Sequence, residues 1–199
     1  MSYQIILAAL LGACLASFGW GMRSFFVQPS GYTPGMKVIA ACGYTFAALH
    51  LGAILLARHV SLDRFCLAGS FYAAALALYW WAIATNRKLR LSAAFSDDLP
   101  THLVQDGPYR LVRHPFYCSY LLVWSAGVIG SGCLWLLATV AVMLAIYLRA
   151  AYAEERKFAR GALANEYEAF RSRTGLLIPN PWKMLTARPR RVMAARRSD

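Results

Sequence analysis

The sequence predicts an all-α integral membrane protein with about five transmembrane helices. Of its 199 residues, 59% are hydrophobic and 15% are charged, a balance typical of membrane proteins rather than of soluble domains. Five apolar segments also come close to the ~20 residues with which a helix crosses a bilayer. These segments run at about 5–22, 37–57, 65–84, 116–131 and 133–150.

The first apolar segment is expected to remain in the protein as a membrane helix. No basic residue precedes it, whereas a cleaved signal peptide begins with a positively charged region. Small residues recur in this segment at four-residue spacing, at Ala8, Gly12 and Ala16. Such spacing lets two helices approach closely, either within the chain or in a dimer, so the oligomeric state stays open.

The last two apolar segments are predicted to form an antiparallel helical hairpin. Only Gly130, Ser131 and Gly132 separate them, and two glycines this close are typical of a tight turn. Pro115 suits the first turn of the first of these helices, because its missing N–H would have no partner there. His114 is therefore predicted at the N-cap of that helix.

The distribution of positive charge predicts the orientation of the chain. With five spans, the first loop, the long loop at 85–115 and the tail from Arg149 share one side. That side holds nineteen of the 21 lysines and arginines. The positive-inside rule places it in the cytoplasm and the N-terminus outside. We therefore expect a protein of the inner (cytoplasmic) membrane whose long loop and C-terminal tail meet at the cytoplasmic face.

The net charge of +12 is attributed to contacts with membrane lipids. Nucleic acid is not an expected partner, since no base-stacking or groove-reading module is visible. The five cysteines lie in apolar segments and are odd in number, which does not indicate a disulfide framework. His114 and Cys118, four residues apart, provide too few ligands for a metal site, so no metal is expected.

Polar and aromatic residues gather just before the fourth apolar segment. The N-terminus of a helix starting at Pro115 offers unpaired N–H groups and positive potential, which suit a carboxylate or a phosphate. Arg113 adds a cation, and Tyr109 and Tyr117 offer aromatic faces for a purine ring or a cation. These groups suit a zwitterionic ligand that carries a nucleoside.

A second polar group lies at the exit of the last span, where Arg149 is followed by Glu154 and Glu155. The same residues have an ordinary explanation without any ligand. Arginines and tyrosines anchor membrane proteins at the interface, and two glutamates are common in a solvated turn. Physical chemistry alone leaves both explanations open.

The order of motifs resembles a known family of membrane enzymes. Residues 107–117 read GPYRLVRHPFY, and a membrane hairpin, the Glu154-Glu155 pair and a Tyr167-x-x-Phe170 pattern follow. This order resembles the isoprenylcysteine carboxyl methyltransferase family and the bacterial phospholipid N-methyltransferases over roughly residues 89–182. The resemblance implies S-adenosylmethionine as the methyl donor on the cytosolic side. It also implies a lipophilic methyl acceptor that enters sideways from the bilayer.

The resemblance also implies roles for individual residues. A carboxylate acceptor would pair with Arg149 or Arg113, an amine acceptor would need Glu154 or Glu155 as a base, and the choice among carboxylate, amine and thiol stays open. The predicted catalytic residues are Arg149, Glu154, Glu155 and Arg113, and the predicted cofactor-binding residues are His102, Leu103, Val104, Tyr109, His114, Pro115, Tyr117 and Glu154.

Two departures from the family pattern lie in the tail. Leu163-Ala164 stands where the family often has Phe-Gly, and Phe170 stands in place of a second tyrosine. Arg149 is only near the place of the family's substrate-side arginine. The resemblance therefore supports cofactor binding better than it supports any one acceptor.

Three regions are predicted along the chain. Residues 1–85 form a three-helix membrane anchor, residues 86–185 a methyltransferase core and residues 186–199 a basic mobile tail. Within the core, 89–106 is expected to be an ordered loop with a short strand. A surface helix is expected after Arg149.

Two other functions stay open. An NADPH-dependent membrane reductase of a sterol-like substrate would share this fold, but such reductases are larger and no pocket for a 2′-phosphate is evident. A non-enzymatic protein, such as a small transporter or an assembly factor, is the other alternative, although no inverted repeat supports transport. His50 is either a functional group in the membrane or a neutral histidine hydrogen-bonded between helices.

Overall fold

A computed structural model describes residues 2–27, 33–87, 91–92 and 102–182 of the chain. This part is almost entirely helical, and its strands are the two-residue β1 and β2, which pair in parallel. Short 3-10 turns precede two of the helices. The elements are α1 (Tyr3–Phe25), β1 (Phe26–Val27), α2 (Pro34–Leu55), α3 (Leu62–Asn86), β2 (Leu91–Ser92), a 3-10 turn (Gly107–Arg110), α4 (Pro115–Ser131), a 3-10 turn (Leu134–Leu136), α5 (Leu137–Arg160) and α6 (Ala164–Arg171).

Four helical stretches are long and apolar enough to cross a membrane: α1, α2, α3 and the continuous stretch Leu134–Arg160. The helix α4 has 17 residues and no charged side chain, and at 1.5 Å per residue it extends about 25 Å, slightly less than the ~30 Å hydrocarbon core. The predicted all-α membrane fold is confirmed. The count of five spans stays a prediction.

Local sequence explains where the helices begin and end. The Thr33 hydroxyl accepts a bond from the N–H of Met36 at 3.3 Å and caps α2. Pro115 is the first residue of α4 and His114 is its N-cap residue, as predicted. At the other end of α4, Gly132 has φ +70°, a left-handed conformation that favours glycine. The predicted turn between α4 and α5 is therefore confirmed at Gly132, whereas Gly130 and Ser131 are still part of α4.

The helices pack around two apolar clusters. The first joins α1, α2, α3 and α4 at the end of the bundle where α1 begins, around Leu11, Ile54 and Tyr72. The second joins α4 to α5 around Trp124, Met143 and other side chains, and it leads toward the end of the bundle where α5 finishes. The outward faces of the helices carry exposed leucines, valines and tryptophans, as a lipid-facing surface requires.

His50 is a fully buried contact between helices. Thr139 Oγ1 donates to the Leu136 carbonyl at 2.7 Å, so it accepts from His50 Nε2–H at 2.8 Å. A Cβ atom at Gly127 would lie 2.0 Å from His50 Nδ1, which explains why glycine occupies that position of α4. This geometry agrees with the interpretation of His50 as a neutral histidine that joins α2, α4 and α5.

The elements that follow α1, α3 and α5 meet at one end of the bundle. β1 follows α1 and β2 follows α3, so their pairing brings the first loop and the long loop together. Val112 forms a parallel bridge with Gly175, which adds the C-terminal segment. The short strand expected in 89–106 is therefore present as β2. The rest of that loop up to residue 101 lies outside the described residues, as does 186–199.

The sequence prediction for the region after Arg149 needs a correction. A helix that emerges from the membrane after Arg149 and lies along its surface as far as Gly175 was expected. In the structure α5 instead continues without interruption to Arg160, because no glycine or proline breaks it before Gly161. The short helix α6 then lies beyond that break. The glutamates are therefore placed by the same rigid helix that crosses the apolar core.

Candidate active site

The helical phase of α5 decides which of its polar residues point toward α4. Tyr147, Ala150, Ala151 and Glu155 are buried and recur every three or four residues, so they share one face of the helix. Arg149 lies well off this face and is exposed. The two glutamates therefore approach the start of α4.

The C-terminal segment 174–177 crosses the start of α4 and holds it in place. The backbone N–H groups of Arg113 and His114 donate to the carbonyls of Gly175 and Leu176 at 2.9 and 3.2 Å. The Cys118 thiol donates to the Leu177 carbonyl at 3.0 Å. This pairing places the two side chains that precede α4 against the end of α5.

Arg113 and Glu155 form a buried ion pair. Arg113 Nε donates to Glu155 Oε1 at 2.7 Å, and the two side chains are only 7% and 10% exposed. Arg113 Nη1 also donates to the Thr174 carbonyl at 2.6 Å. Arg113 therefore uses these donors for contacts within the protein, and it joins α5 to the C-terminal segment.

Glu154 lies beside this pair in a more open position. The Tyr117 hydroxyl donates to Glu154 Oε1 at 2.6 Å, and His114 Nδ1 lies 3.5 Å from Glu154 Oε2. The Tyr117 ring stacks between those of His114 and Tyr147, with centroid separations of 5.4 and 5.2 Å. The Glu154 side chain keeps 31% of its surface exposed. It is thus an oriented carboxylate that remains accessible.

Tyr109 is held from the end of α3. Its ring lies in the 3-10 turn that packs against α3, and its hydroxyl accepts a bond from Asn86 Nδ2 at 3.0 Å. Next to His102, Leu103 and Val104, Gln105 donates to Glu166 at 2.7 Å and accepts from Arg173. This segment is thereby tied to α6 and to the residues after it.

The structure thus brings together most, though not all, of the residues that the sequence predicted for the site. Arg149 is exposed and, within the described part of the chain, has no hydrogen-bond or ion-pair partner. His102 is exposed, whereas Leu103 and Val104 are half-buried. The residues that converge are Tyr109, Arg113, His114, Pro115, Tyr117, Glu154 and Glu155.

Sequence reasoning missed Asn86 and the backbone of Thr174, Gly175 and Leu176. Asn86 carried a signal, because an amide at the end of a long apolar segment is costly to bury without a partner. The role of the C-terminal backbone had no signal, since carbonyl groups are present at every residue. Only the fold shows which carbonyls Arg113 reaches.

The two glutamates act on the protonation of His114. Burial opposes a positive charge there, but Glu154 and Glu155 outweigh it and raise the pKa of the His114 imidazole above its usual 6.5. The contact between His114 and Glu155 is electrostatic and not a hydrogen bond, because 3.8 Å separates His114 Nε2 from Glu155 Oε1. The folded chain therefore binds this proton more tightly than the unfolded chain does.

A pH-dependent stability is expected from His114. Because the folded pKa is raised, the stabilisation is complete below pH ~6.5 and is lost as the pH rises through the folded value. Unfolding in detergent, followed from pH 6 to 9, should show this loss in the native sequence and not in His114→Gln. An equal decline in both proteins would contradict the assignment.

A known protein family matches the part of the chain that carries most of these residues. A family model described as phospholipid methyltransferase matches residues 64–162. Residues 64–162 form a phospholipid methyltransferase domain. Searches among curated proteins and among solved structures gave no match. The phospholipid branch of the predicted resemblance is confirmed, and the isoprenylcysteine branch stays a prediction.

The phospholipid methyltransferase domain starts in α3 and ends just after α5. It therefore begins before residue 89, where the predicted resemblance started, and stops before α6. Tyr109, Arg113, Tyr117 and the two glutamates lie inside the domain. The segment that pairs with the start of α4 lies beyond it. Such a domain implies a membrane methyltransferase.

Proposed function

We propose that this chain transfers a methyl group from S-adenosylmethionine to a lipophilic acceptor at the cytoplasmic face of the membrane. One observation carries the proposal. Within a phospholipid methyltransferase domain, an accessible carboxylate, Glu154, is oriented by Tyr117 and His114 at the end of an apolar helix bundle. A membrane enzyme that methylates a lipophilic molecule needs both features in one place.

The polar atoms of the site fit a ligand of this kind. His114 Nε2 is buried and has no hydrogen-bond partner among the described residues. Buried polar atoms in proteins are nearly always paired, so a bound polar ligand would complete this one. The ammonium, hydroxyl and amino groups of S-adenosylmethionine are donors, and Glu154 is an acceptor. Tyr117 and Tyr109 offer aromatic surface beside them.

The residues of the chain would favour an amine as the acceptor. S-adenosylmethionine, when bound, supplies an electrophilic methyl group on a sulfonium ion. An amine nitrogen that accepted this methyl group would carry a proton that must leave. Glu154 would take that proton. Arg113 is already paired with Glu155 and Arg149 is exposed, which argues against a carboxylate that needs a free arginine.

The remaining residues would act by holding and shielding the reactants. The buried Arg113–Glu155 pair fixes the start of α4 against α5, so the carboxylate of Glu154 keeps one position. Stacked tyrosines and the apolar cluster beneath them keep water from the reacting atoms. A lipophilic acceptor would approach sideways from the bilayer, as the family resemblance implies.

Calorimetry on the full chain in nanodiscs tests the cofactor. We expect S-adenosylmethionine to bind, NADPH to leave that binding unchanged, and both His114→Ala and Tyr117→Ala to weaken it at least several-fold. NADPH binding would instead favour a reductase. No binding of S-adenosylmethionine in either detergent or nanodiscs would contradict the proposal.

The cytoplasmic location rests on the charge asymmetry of the loops, since the predicted five-span topology would put nineteen basic residues on the side that holds the site. A reporter fused after Asp199 should be active in the cytoplasm and inactive outside. The opposite pattern would place the site on the outer face. Mass spectrometry of lipid extracts, incubated with the chain and a methyl-labelled donor, would identify the acceptor.

A further inference from the structure

Asn86 is a buried amide at the last turn of α3, outside the set of residues that the motifs of the family indicated. Its side chain is 2% exposed. Asn86 Nδ2 donates to the Ala82 carbonyl at 2.7 Å and to the Tyr109 hydroxyl at 3.0 Å. Because a carbonyl can only accept, the amide nitrogen must face Ala82, and this fixes which end of the amide points where.

The orientation of Asn86 determines what Tyr109 can do. With the amide N–H pointing at it, the Tyr109 oxygen serves as an acceptor, and its own O–H proton points elsewhere. No described residue accepts that proton. Burial raises the pKa of Tyr109, and the bond from Asn86 lowers it by less, so the hydroxyl keeps its proton. Among the residues that the structure describes, Tyr109 is therefore a donor without an acceptor.

The Tyr109 hydroxyl lies at the end of the helix bundle that also carries Glu154. The negative charge of Glu154 acts on Tyr109, although no hydrogen bond joins them. The turn that carries Tyr109 packs against the end of α3, where Gly107 has φ +58° and lies against Thr85. The ring cannot easily move away, so its donor is pre-organised.

We propose that Asn86 is a positioning residue, which acts by holding the Tyr109 hydroxyl as a hydrogen-bond donor to an acceptor atom of the bound methyl donor. The inference rests on the proposed function. The Tyr109 hydroxyl would donate to an oxygen or a ring nitrogen in the nucleoside or amino-acid portion of the methyl donor. It would not donate to the ammonium group, which cannot accept a hydrogen bond. Asn86 itself is not required to touch the ligand.

Binding of S-adenosylhomocysteine, which cannot donate a methyl group, tests the inference without turnover. The full chain in nanodiscs is compared with Asn86→Leu, Tyr109→Phe and the double variant by calorimetry. Loss of one hydrogen bond should weaken binding about 3- to 10-fold in each single variant. The double variant should be no weaker than the single variants, because both changes remove the same bond.

Two further variants separate positioning from general structural damage. Asn86→Asp has the same shape but accepts the Tyr109 proton, so it should weaken binding at least as much as Asn86→Leu. Thr85→Val, at the neighbouring position, leaves the Asn86–Tyr109 bond intact and should bind like the native sequence. Thermal unfolding without ligand shows that each variant is folded.

The outcomes are distinct. If the native chain binds S-adenosylhomocysteine and the two single effects multiply in the double variant, Asn86 does not act through Tyr109 and the inference fails. Native affinity in Asn86→Leu also overturns it and leaves the proposed function standing. If the native chain itself does not bind, both proposals fail together. Coupled losses with a normal Thr85→Val support the inference.

Discussion

Arg113→Met is expected to lower the free energy of unfolding by about 3–5 kcal/mol, because it leaves the buried Glu155 carboxylate without its partner. Arg171 lies 3.9 Å from the same carboxylate, but it is 54% exposed and can replace little of the lost pairing. The variant also loses the bond to the Thr174 carbonyl. Denaturant titration in mixed micelles measures the change.

The double variant Arg113→Met, Glu155→Leu is the informative control. It removes both charges, so much of the lost stability should return, since apolar pairs of similar volume often replace buried ion pairs without cost. Arg110→Ala breaks the exposed pair with Asp106, whose side chains are 73% and 80% exposed, and should change stability by less than about 1 kcal/mol. If Arg110→Ala lowered the free energy of unfolding as much as Arg113→Met does, burial of the ion pair would not explain the effect of the Arg113 variant.

Glu154→Gln is expected to reduce methyl transfer by about 10²- to 10⁴-fold, the range of a lost general base. Its stability should change little, because the side chain is 31% exposed and the amide can still accept the bond from Tyr117. Initial rates with a labelled methyl donor, together with donor affinity, separate turnover from binding. The larger effect should fall on turnover, and donor affinity should fall by a smaller factor because the amide oxygen can still accept a hydrogen bond.

Tyr117→Phe is the matched control for this prediction. It keeps the stacked ring and removes only the hydroxyl that orients Glu154, so a smaller loss of turnover is expected than in Glu154→Gln. If Glu154→Gln transfers methyl groups at the native rate, the acceptor needs no base. A carboxylate acceptor would then replace the amine in the proposed reaction.

Local chemistry is the part of this protein that its sequence predicts well. Pro115 lacks an N–H, and Gly132 tolerates a left-handed conformation, so each marks a helix end wherever the rest of the chain lies. The long apolar runs likewise require helices, because an unpaired backbone is too costly in lipid. The membrane fold and both ends of α4 follow from these facts alone.

The site was predicted less completely, because contacts depend on helical phase and on distant backbone. Arg149 and Glu155 are six residues apart, yet only Glu155 faces α4, and motif spacing does not show how a helix is rotated in its bundle. The uninterrupted course of α5 decides that rotation. Asn86 was missed for a related reason, since its partner Tyr109 is 23 residues away in the sequence and is brought close to it by a turn.

The bridge between Val112 and Gly175 also bears on how the protein is made. A growing chain folds from its N-terminus, and α1 to α5 leave the ribosome before the residues that cross the start of α4. The helices therefore enter the bilayer while Arg113 still lacks its carbonyl partner. The end of the bundle that carries the candidate site is consequently assembled last, so a chain that stops after Arg160 would be inserted in the membrane but unable to complete that site.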